Sequence, residues 1–415
     1  MANTLLTISK ITNEALMVLE NELTFTSEVN REYDDQFAVV GAKIGATVNV
    51  RRPGRFIGAA GPALNIEDFN ETSIPVTLTT QWQTATQFTT QDLALSLDMF
   101  SDRVLKPQVA AIANKIDRDG LVMAKNNTAN FVGTVGTAPT SLLTYLTAGA
   151  YLDAEGAPRD GRRAIVIEQF TAATIVDALK GLFVPQEAIG EQYRKGLMGR
   201  DSGGMNWKMD QNIVSQTFGA WAAAAGAVTV TSSNQGLSTG WASTSTISLT
   251  TNQTLTIQQG DVIQFTGING VNPQNRQSYG RLRNFVVTAA VTSAAGAFNV
   301  TVSPALISGG QFQNVTASPT AGTAVTFSSL ATGTANALTG PQNILFHRNA
   351  FTLAMADLEL PEGVHFAGRA SDKEIGLSIR VVRQYTINND AIPCRLDVLY
   401  GWAPLYPELA CRITS

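Results

Sequence analysis

The sequence contains few charged residues for its length. Asp, Glu, Lys and Arg make up 15% of the 415 residues, whereas a typical soluble domain has about 25%. Thr, Ser, Asn, Gln, Ala and Gly take their place, so the predicted surface is polar but weakly charged. Protein interfaces are depleted in Lys, Glu and Asp, and the composition therefore favours extensive subunit contact. A weakly charged surface without any partner would fit the composition equally well.

Several other features are absent, and each absence excludes a class of protein. The formal net charge is −4 and no cluster of Lys or Arg occurs, so direct nucleic-acid binding is not indicated. Cys394 and Cys411 are the only cysteines, too few for a disulfide framework or a cysteine-based zinc site, and compatible with a reducing cytosol. The sequence predicts neither a secretion signal nor a transmembrane helix, because it has no basic-then-apolar start and no run of 18 apolar residues.

Motifs that would indicate catalysis or cofactor binding are also scarce. Ser202 lies in an Asp-Ser-Gly-Gly segment like that of trypsin-like proteases, but such a triad needs a histidine base. The two histidines, His347 and His365, follow the serine, against that family's order, and they have no zinc-binding spacing. No phosphate-binding glycine loop is present. We therefore predict a non-enzymatic protein without metal or cofactor, and keep a hydrolase centred on Ser202 as a remote alternative.

A long helix is the strongest predicted element. The pattern extends from about Ser101 to Lys125, with Ser101 and Asp102 as N-cap residues. About 25 residues at 1.5 Å each give a rod near 37 Å long, and its single apolar stripe needs a partner to lie on. The stripe repeats at spacings of four, three and four residues, at Leu105, Val109, Ile112 and Ile116.

Extended segments and loops precede this helix. Residues 1–23 carry a helical apolar stripe that includes Ile8, Ile11 and Leu19, which predicts a helix that docks on its own domain or on a partner. A strand is predicted to end at Pro53, and residues 56–83 then fit a two-stranded projecting loop. Positive charge is concentrated at the base of that loop, at Arg51, Arg52 and Arg55.

The composition changes abruptly near Gly226. From there to Gly340 the chain has no Lys or Glu, one Asp (Asp261) and three Arg. Short strand-like runs recur between Gly, Asn and Pro turns, which predicts an all-β module inserted into a mixed domain. Within it, the segment from Tyr279 to Phe285 interleaves aromatic residues with Arg281 and Arg283, as a single-strand binder might. Three arginines are weak support for that activity, and we favour a turn that contacts a neighbouring subunit.

The order of these elements and several phrases resemble the major capsid proteins of tailed double-stranded-DNA bacteriophages with the Hong Kong 97-type fold. The inserted β module resembles that of the coat-protein branch of short-tailed phages. The phrases are Gly45-Ala-Thr-Val-Asn-Val-Arg-Arg-Pro, the stretch from Phe88-Thr-Thr-Gln-Asp-Leu to Ile116-Asp-Arg-Asp, Phe346-His-Arg-Asn-Ala-Phe and Leu396-Asp-Val-Leu-Tyr-Gly-Trp.

The resemblance implies an α+β capsid fold with an N-terminal arm, an extended loop, a long spine helix and an axial domain. It also implies pentamers and hexamers of an icosahedral virion shell around double-stranded DNA, assembled in the host cytoplasm. A separate scaffolding protein, a portal protein and a possible decoration protein are the expected partners. The implied parts are an arm (1–35), a peripheral domain (36–52 and 89–130), an extended loop (53–88), an axial domain (131–225 and 341–390), an inserted β domain (226–340) and a C-terminal return (391–415).

The candidate functional residues are therefore subunit contacts. Some relatives cross-link neighbouring subunits through a lysine in the extended loop, but here no lysine lies between Lys43 and Lys106, so we expect non-covalent contacts. An adhesive or decorating phage protein whose β module binds a ligand remains the alternative. The candidates are Arg51, Arg52, Arg55, Ile8, Ile11, Leu19, Arg281 and Arg283.

Overall fold

The computed structural model describes residues 15–19, 23–31, 47–58, 60–62, 64, 66–67, 71–89, 104, 106–179, 203–220, 228–236, 240–293, 295–328, 337–372 and 377–415. The chain divides into two compact units. The first comprises Met1–Val50, Ile74–Gly120 and Phe351–Leu405, and the second comprises Arg51–Ser73, Leu121–Ala350 and Tyr406–Ser415.

The described elements mix helices and strands. The helices are α1 (Lys106–Asn127), α2 (Leu142–Ala154) and α3 (Gln169–Leu179). The strands before residue 220 are β1 (Thr47–Arg52), β2 (Thr72–Thr77), β3 (Thr80–Thr89), β4 (Asn130–Val132), β5 (Arg163–Ile167), β6 (Asn206–Met209) and β7 (Ser215–Thr217). Those between residues 228 and 328 are β8 (Thr229–Val230), β9 (Ser245–Thr251), β10 (Leu255–Ile257), β11 (Val262–Phe265), β12 (Asn269–Val271), β13 (Ser278–Leu282), β14 (Phe285–Val287), β15 (Val291–Ser293), β16 (Gly296–Ser303) and β17 (Val325–Phe327). The last are β18 (Thr339–His347), β19 (Phe351–Met355), β20 (Phe366–Asp372), β21 (Leu377–Arg383), β22 (Ala391–Pro404) and β23 (Ala410–Thr414). The predicted α+β class is confirmed.

The first unit is an antiparallel sheet with part of the long helix. Its order is β19-β22-β21-β20, and β3 pairs with the 391–400 stretch of β22. The helix α1 is seen from Lys106 to Asn127, and Val109, Ile112 and Ile116 are fully buried in it. Ser101, Asp102 and Leu105 lie outside the described residues, so the N-cap stays a prediction.

The second unit contains a mixed sheet in the order β4-β23-β18-β5-β6, with β7 also pairing with β18. β4 runs parallel to β23 and β6 parallel to β5, whereas β18 is antiparallel to both of its neighbours. Helices α2 and α3 contribute to its core through Tyr145, Ala148, Leu152, Ala172 and Ile175. In the sequence, Arg163-Ala-Ile-Val-Ile is typical of a buried strand and the spacing from Phe170 to Leu182 predicts a helix, in agreement with β5 and α3. The sequence gave no indication of α2.

Helix α2 was missed because its sequence has little contrast between an apolar and a polar face. It reads Leu-Leu-Thr-Tyr-Leu-Thr-Ala-Gly-Ala-Tyr-Leu-Asp-Ala, in which apolar and small residues occur at nearly every position. Its start is nevertheless marked by a capping residue, because the Ser141 hydroxyl accepts a hydrogen bond from the Leu143 amide at 3.2 Å. A capping serine before a leucine-rich run was the signal that could have identified this helix.

Residues 228–328 form antiparallel β-structure within the second unit. The main sheet has the order β17-β11-β14-β16-β9-β8, and β10 pairs with β15 while β12 pairs with β13. Its core includes Ile247, Phe265, Phe285, Val300 and Val325. The strand-like runs predicted at 227–231, 246–250, 261–265, 284–288 and 298–302 overlap β8, β9, β11, β14 and β16. Their separation as an inserted domain spanning 226–340 stays a prediction.

Candidate intersubunit surfaces

The segment between β1 and β2 exposes large apolar side chains. β1 ends at Arg52, directly before Pro53, and pairs with β2. Leu64 is 86% exposed and Ile66 is 80% exposed, and Phe56 and Ile57 are also exposed. The Glu67 carboxylate accepts hydrogen bonds from the Ile57 and Gly58 amides at 2.7 and 2.6 Å, which ties the two sides of the segment together. We call residues 53–71 the apolar loop; such exposed apolar groups mark interaction sites.

The base of the apolar loop is held by an arginine–glutamate cluster. Arg52 forms an ion pair with Glu408, and its guanidinium carbon lies 4.4 Å from the centroid of the Tyr406 ring and 5.7 Å from that of Trp241. Arg55 approaches the same carboxylate at 3.8 Å, and burial lowers its pKa. Two of the predicted contact arginines therefore have a partner in their own chain, and a role between subunits stays a prediction for them.

The third arginine of the loop base faces solvent. Arg51 and Glu71 are 3.5 Å apart, and both side chains are exposed. An exposed pair of this kind contributes about 0–1 kcal/mol to stability. Arg51 is thus held only weakly by Glu71, and a role between subunits stays a prediction for it as well.

The two arginines of the β13–β14 region differ sharply. Arg283 is buried and forms an ion pair with the buried Glu155 at the end of α2, and burial lowers its pKa to about 10. Arg281 is exposed and hydrogen-bonds Tyr151. Arg283 consequently links the β-structure to the end of helix α2 in the same unit. Arg281 keeps its exposed position as a candidate contact.

The chain segment near the N-terminus is anchored on α1 by one carboxylate. Asp117 is buried and accepts hydrogen bonds from the Thr24 amide at 2.7 Å, the Thr26 amide at 3.0 Å and the Thr26 hydroxyl. Phe25 packs beside Trp402 with ring centroids 5.6 Å apart. Leu19 is buried within helical residues 15–19, whereas Ile8 and Ile11 lie outside the described residues. Sequence reasoning found no role for Asp117, because its partners are more than 90 residues away.

The position of Gly120 shows how closely this anchor is packed. A Cβ at Gly120 would lie 2.6 Å from the Trp402 ring and 2.9 Å from the Phe25 ring. The glycine that interrupts the helical pattern is thus required by packing. On the same helix, Asp119 accepts a hydrogen bond from the Tyr400 hydroxyl at 2.6 Å, and burial together with this contact raises the pKa of Tyr400.

A buried charged cluster joins α1, β23 and the start of β11. Arg412 is fully buried; it donates to the Gly260 carbonyl at 2.8 Å, and burial lowers its pKa to about 10. Asp261 is also buried and accepts from the Gln258 amide at 2.9 Å. Lys125 donates to the side chain of Gln216, and its pKa falls to about 8, first because of burial and then because of Arg412. Nothing in the sequence indicates this cluster except that Asp261 is the one acidic residue between Gly226 and Gly340.

The lowered pKa of Lys125 predicts a pH-dependent stability. Between about pH 8 and the ordinary value of 10.5, the unfolded chain binds more protons at this lysine than the folded chain does. The contribution of Lys125 to stability should therefore rise with pH across that range. We expect the free energy of unfolding of the natural chain, minus that of Lys125→Met, to increase between those pH values in denaturant titrations. A difference that stays level would contradict the placement of this amine.

Of the residues considered for chemistry, the structure describes the two histidines, His347 and His365. His347, the last residue of β18, is buried, and its Nε2 lies 3.2 Å from a carboxylate oxygen of Asp160, which precedes β5. Ser202 falls outside the described residues. Over the parts of the chain that the structure describes, no group of three His, Cys, Asp or Glu residues could hold a metal ion. Over the same parts, no helix has both the length and the apolar character to span a bilayer.

A weakly charged chain with an exposed apolar loop and an anchored N-terminal segment has the features of a self-assembling structural subunit. The model of the family described as "P22 coat protein - gene protein 5" matches residues 1–412. The chain therefore belongs to the P22 coat protein family. It is a phage major capsid protein, a virion component whose copies form an icosahedral shell. No curated protein sequence matches it.

Solved phage structures resemble the chain at low sequence identity. A structure from Mycobacterium phage Che8 has 11% identity and a TM-score of 0.46, covering 94% of this chain and 90% of that one. The capsid of Ralstonia phage GP4 has 6% identity and a TM-score of 0.45, covering 94% and 88%. The capsid of cyanophage P-SCSP1u has 9% identity and a TM-score of 0.43, covering 93% and 88%.

Proposed function

We propose that this capsid protein assembles as pentamers and hexamers with the Hong Kong 97-type fold and encloses packaged double-stranded DNA. Assembly takes place in the host cytoplasm on a separate scaffolding protein and with a portal protein. A decoration protein is a further possible partner. The observation that carries this proposal is the apolar loop, in which Leu64 is 86% exposed and Ile66 is 80% exposed.

The electrostatics suit an enclosure that does not hold its contents tightly. Phosphate binding requires lysine and arginine on an accessible face. The chain has a net charge of −4, and Arg52, Arg283 and Arg412 have their charges buried within the second unit. A shell with few accessible basic side chains can contain DNA without binding its phosphates tightly. The same features support a structural protein without chemistry of its own.

We assign roles to the parts of the chain from the burial and exposure of their residues. The arm (1–35) reaches its anchor at Asp117, and the extended loop (53–88) contains the apolar loop. The β-structure of residues 228–328 is linked to the end of helix α2 by Arg283–Glu155 and to strand β23 by Arg412. We assign it a stabilising role in place of covalent cross-links, since no lysine is present in the extended loop. Covalent ladders from purified particles on a denaturing gel would refute that assignment.

The apolar loop provides the test of the proposal. Each fully buried leucine or isoleucine contributes about 1.5–3 kcal/mol, so the Leu64→Ser/Ile66→Ser double variant should lose about 3–6 kcal/mol per contact. We expect it to stay folded by circular dichroism and to form almost no closed particles by electron microscopy when expressed with its scaffolding protein. Because the two side chains are already exposed in the isolated chain, its thermal stability should change little.

The matched control is the Leu64→Ile/Ile66→Leu variant, which keeps the apolar area and should assemble normally. Shells formed equally well by the serine variant would contradict the role of the loop. If the natural chain yields only small oligomers under these conditions, the proposed assembly on a scaffolding protein would be contradicted.

A further inference from the structure

The turn between strands β12 and β13 holds an arginine in an unfavourable backbone conformation. Arg276 lies in this turn and has φ +55°. That left-handed region is disfavoured for side chains other than glycine, asparagine and aspartate. Over the described residues, the other non-glycine positions with positive φ are Asn234 and Asp390, which belong to the tolerant types. An arginine kept at such a position indicates that its side chain has a role that offsets the backbone cost.

The turn is fixed by its own hydrogen bonds. The Arg276 amide donates to the Asn272 carbonyl at 2.9 Å, and the Asn272 amide donates to the Gln277 carbonyl at 2.9 Å. The side-chain oxygen of Asn272 accepts from the Gln274 amide at 2.8 Å. The backbone from which the guanidinium extends is therefore held in one conformation.

The guanidinium of Arg276 reaches the apolar loop. Its Nη2 donates to the Phe56 carbonyl at 3.1 Å and to the Gln311 carbonyl at 3.2 Å, and its Nη1 donates to the Gln274 carbonyl at 3.0 Å. The planar fork of an arginine suits several acceptors at once. Phe56 is 220 positions away in the sequence, so this contact ties the loop to the β-structure of residues 228–328. Because the acceptor is a backbone oxygen, the Phe56 side chain stays 58% exposed.

The charges near the loop base oppose this position of Arg276. Burial lowers the pKa of Arg55, and the positive charges of Arg52 and Arg276 lower it further, against the effect of Glu408. Arg276 therefore lies close enough to other arginines to be repelled by them. The carbonyl oxygens that it binds account for its staying there, since a charged donor makes strong hydrogen bonds.

We propose that Arg276 is a positioning residue for shell assembly. It fixes the backbone of the apolar loop, so that the exposed side chains of the loop are presented to an adjoining copy. Ordering a free loop on binding costs conformational entropy, and a loop that is already held has less to lose. This inference rests on the proposed function, in which the apolar loop contacts an adjoining copy, and it gives the β-structure the task of supporting that loop.

Hydrogen exchange of the unassembled chain tests whether Arg276 holds the loop. Arg276→Gly removes the guanidinium and also relieves the left-handed backbone, so the denaturant midpoint should stay level or rise. The Ile57 and Gly58 amides, which are bonded to Glu67 within the loop, should nevertheless exchange about tenfold faster. Asn234→Gly is the matched control, because it relaxes a left-handed residue of the same β-structure and should leave loop exchange unchanged. Unchanged exchange in Arg276→Gly would overturn the proposal.

Particle yield tests whether this support matters for assembly. When expressed with the scaffolding protein, Arg276→Gly should form about tenfold fewer closed particles by electron microscopy, whereas Asn234→Gly should assemble normally. Arg276→Lys keeps the charge and the backbone conformation, but its nitrogen ends about one bond short of Nη2, so both effects should recur at smaller size. Normal shells from Arg276→Gly, even with faster loop exchange, would overturn this inference and leave the proposed function intact. Failure of the natural chain to form shells would overturn the function itself.

Discussion

Replacing Ile112 with aspartate is expected to leave no soluble, assembly-competent protein. Ile112 is fully buried on α1, between Val109 and Ile116, which are fully buried too. An uncompensated buried charge costs about 3–5 kcal/mol, and loss of the packed side chain adds about 2–5 kcal/mol. The total is comparable to the whole stability of a folded domain, about 5–15 kcal/mol. We expect the variant in inclusion bodies, measured as the soluble fraction after expression.

Two neighbouring substitutions isolate the effect of burial. Ile112→Val should lose only about 0.5–1.5 kcal/mol and should still form shells. Ala111→Asp introduces the same charge one residue earlier, at an exposed position of the helix, and should remain soluble. If Ile112→Asp forms normal shells, α1 does not pack its stripe as described.

Replacing Asp117 with alanine is the second change with a large expected effect. The variant leaves the Thr24 amide, the Thr26 amide and the Thr26 hydroxyl without their acceptor. Each buried donor left unsatisfied costs about 1–3 kcal/mol, so the total loss should be several kcal/mol. We expect a marked fall in the denaturant midpoint of the monomer. Limited proteolysis should then cleave near residues 23–30, because that segment is no longer anchored.

The isosteric variant Asp117→Asn gives the graded control. The single amide oxygen of asparagine can still accept hydrogen bonds from some of the three donors of Thr24 and Thr26, so the loss of stability should be intermediate. Glu362→Ala, at an exposed position of the same unit, should leave both the midpoint and the cleavage pattern unchanged. Resistance of residues 23–30 to protease in the alanine variant would contradict the anchoring role of Asp117.

Local patterns in the sequence predicted the helices and strands that have one clearly apolar face and one clearly polar face. The stripe containing Val109, Ile112 and Ile116 predicted α1, since burial of one helical face requires that spacing. The alternating runs of residues 228–328 predicted their strands for the same reason, with a period of two. Helix α2 escaped because its apolar and small residues surround the whole helix. Several short phrases in a fixed order predicted a phage major capsid protein, and the match to the P22 coat protein family over residues 1–412 confirms it.

The partners of the candidate residues could not be predicted, because they come from distant parts of the chain. Arg52 meets Glu408 across 356 positions and Arg283 meets Glu155 across 128. A charged residue in a sequence gives no indication of whether its partner belongs to its own chain or to a neighbour. The exposure of Leu64 and Phe170 was equally hidden, since an apolar residue in a loop or at a helix start is more often buried.

The most direct test of the account is a cryo-EM reconstruction of the assembled shell at side-chain resolution. The account predicts that Leu64 and Ile66 of each subunit are covered by apolar side chains of an adjoining copy. It would be contradicted by a shell in which these two residues remain in contact with solvent alone, or by a preparation in which the working form of the protein is an isolated, fully ordered monomer.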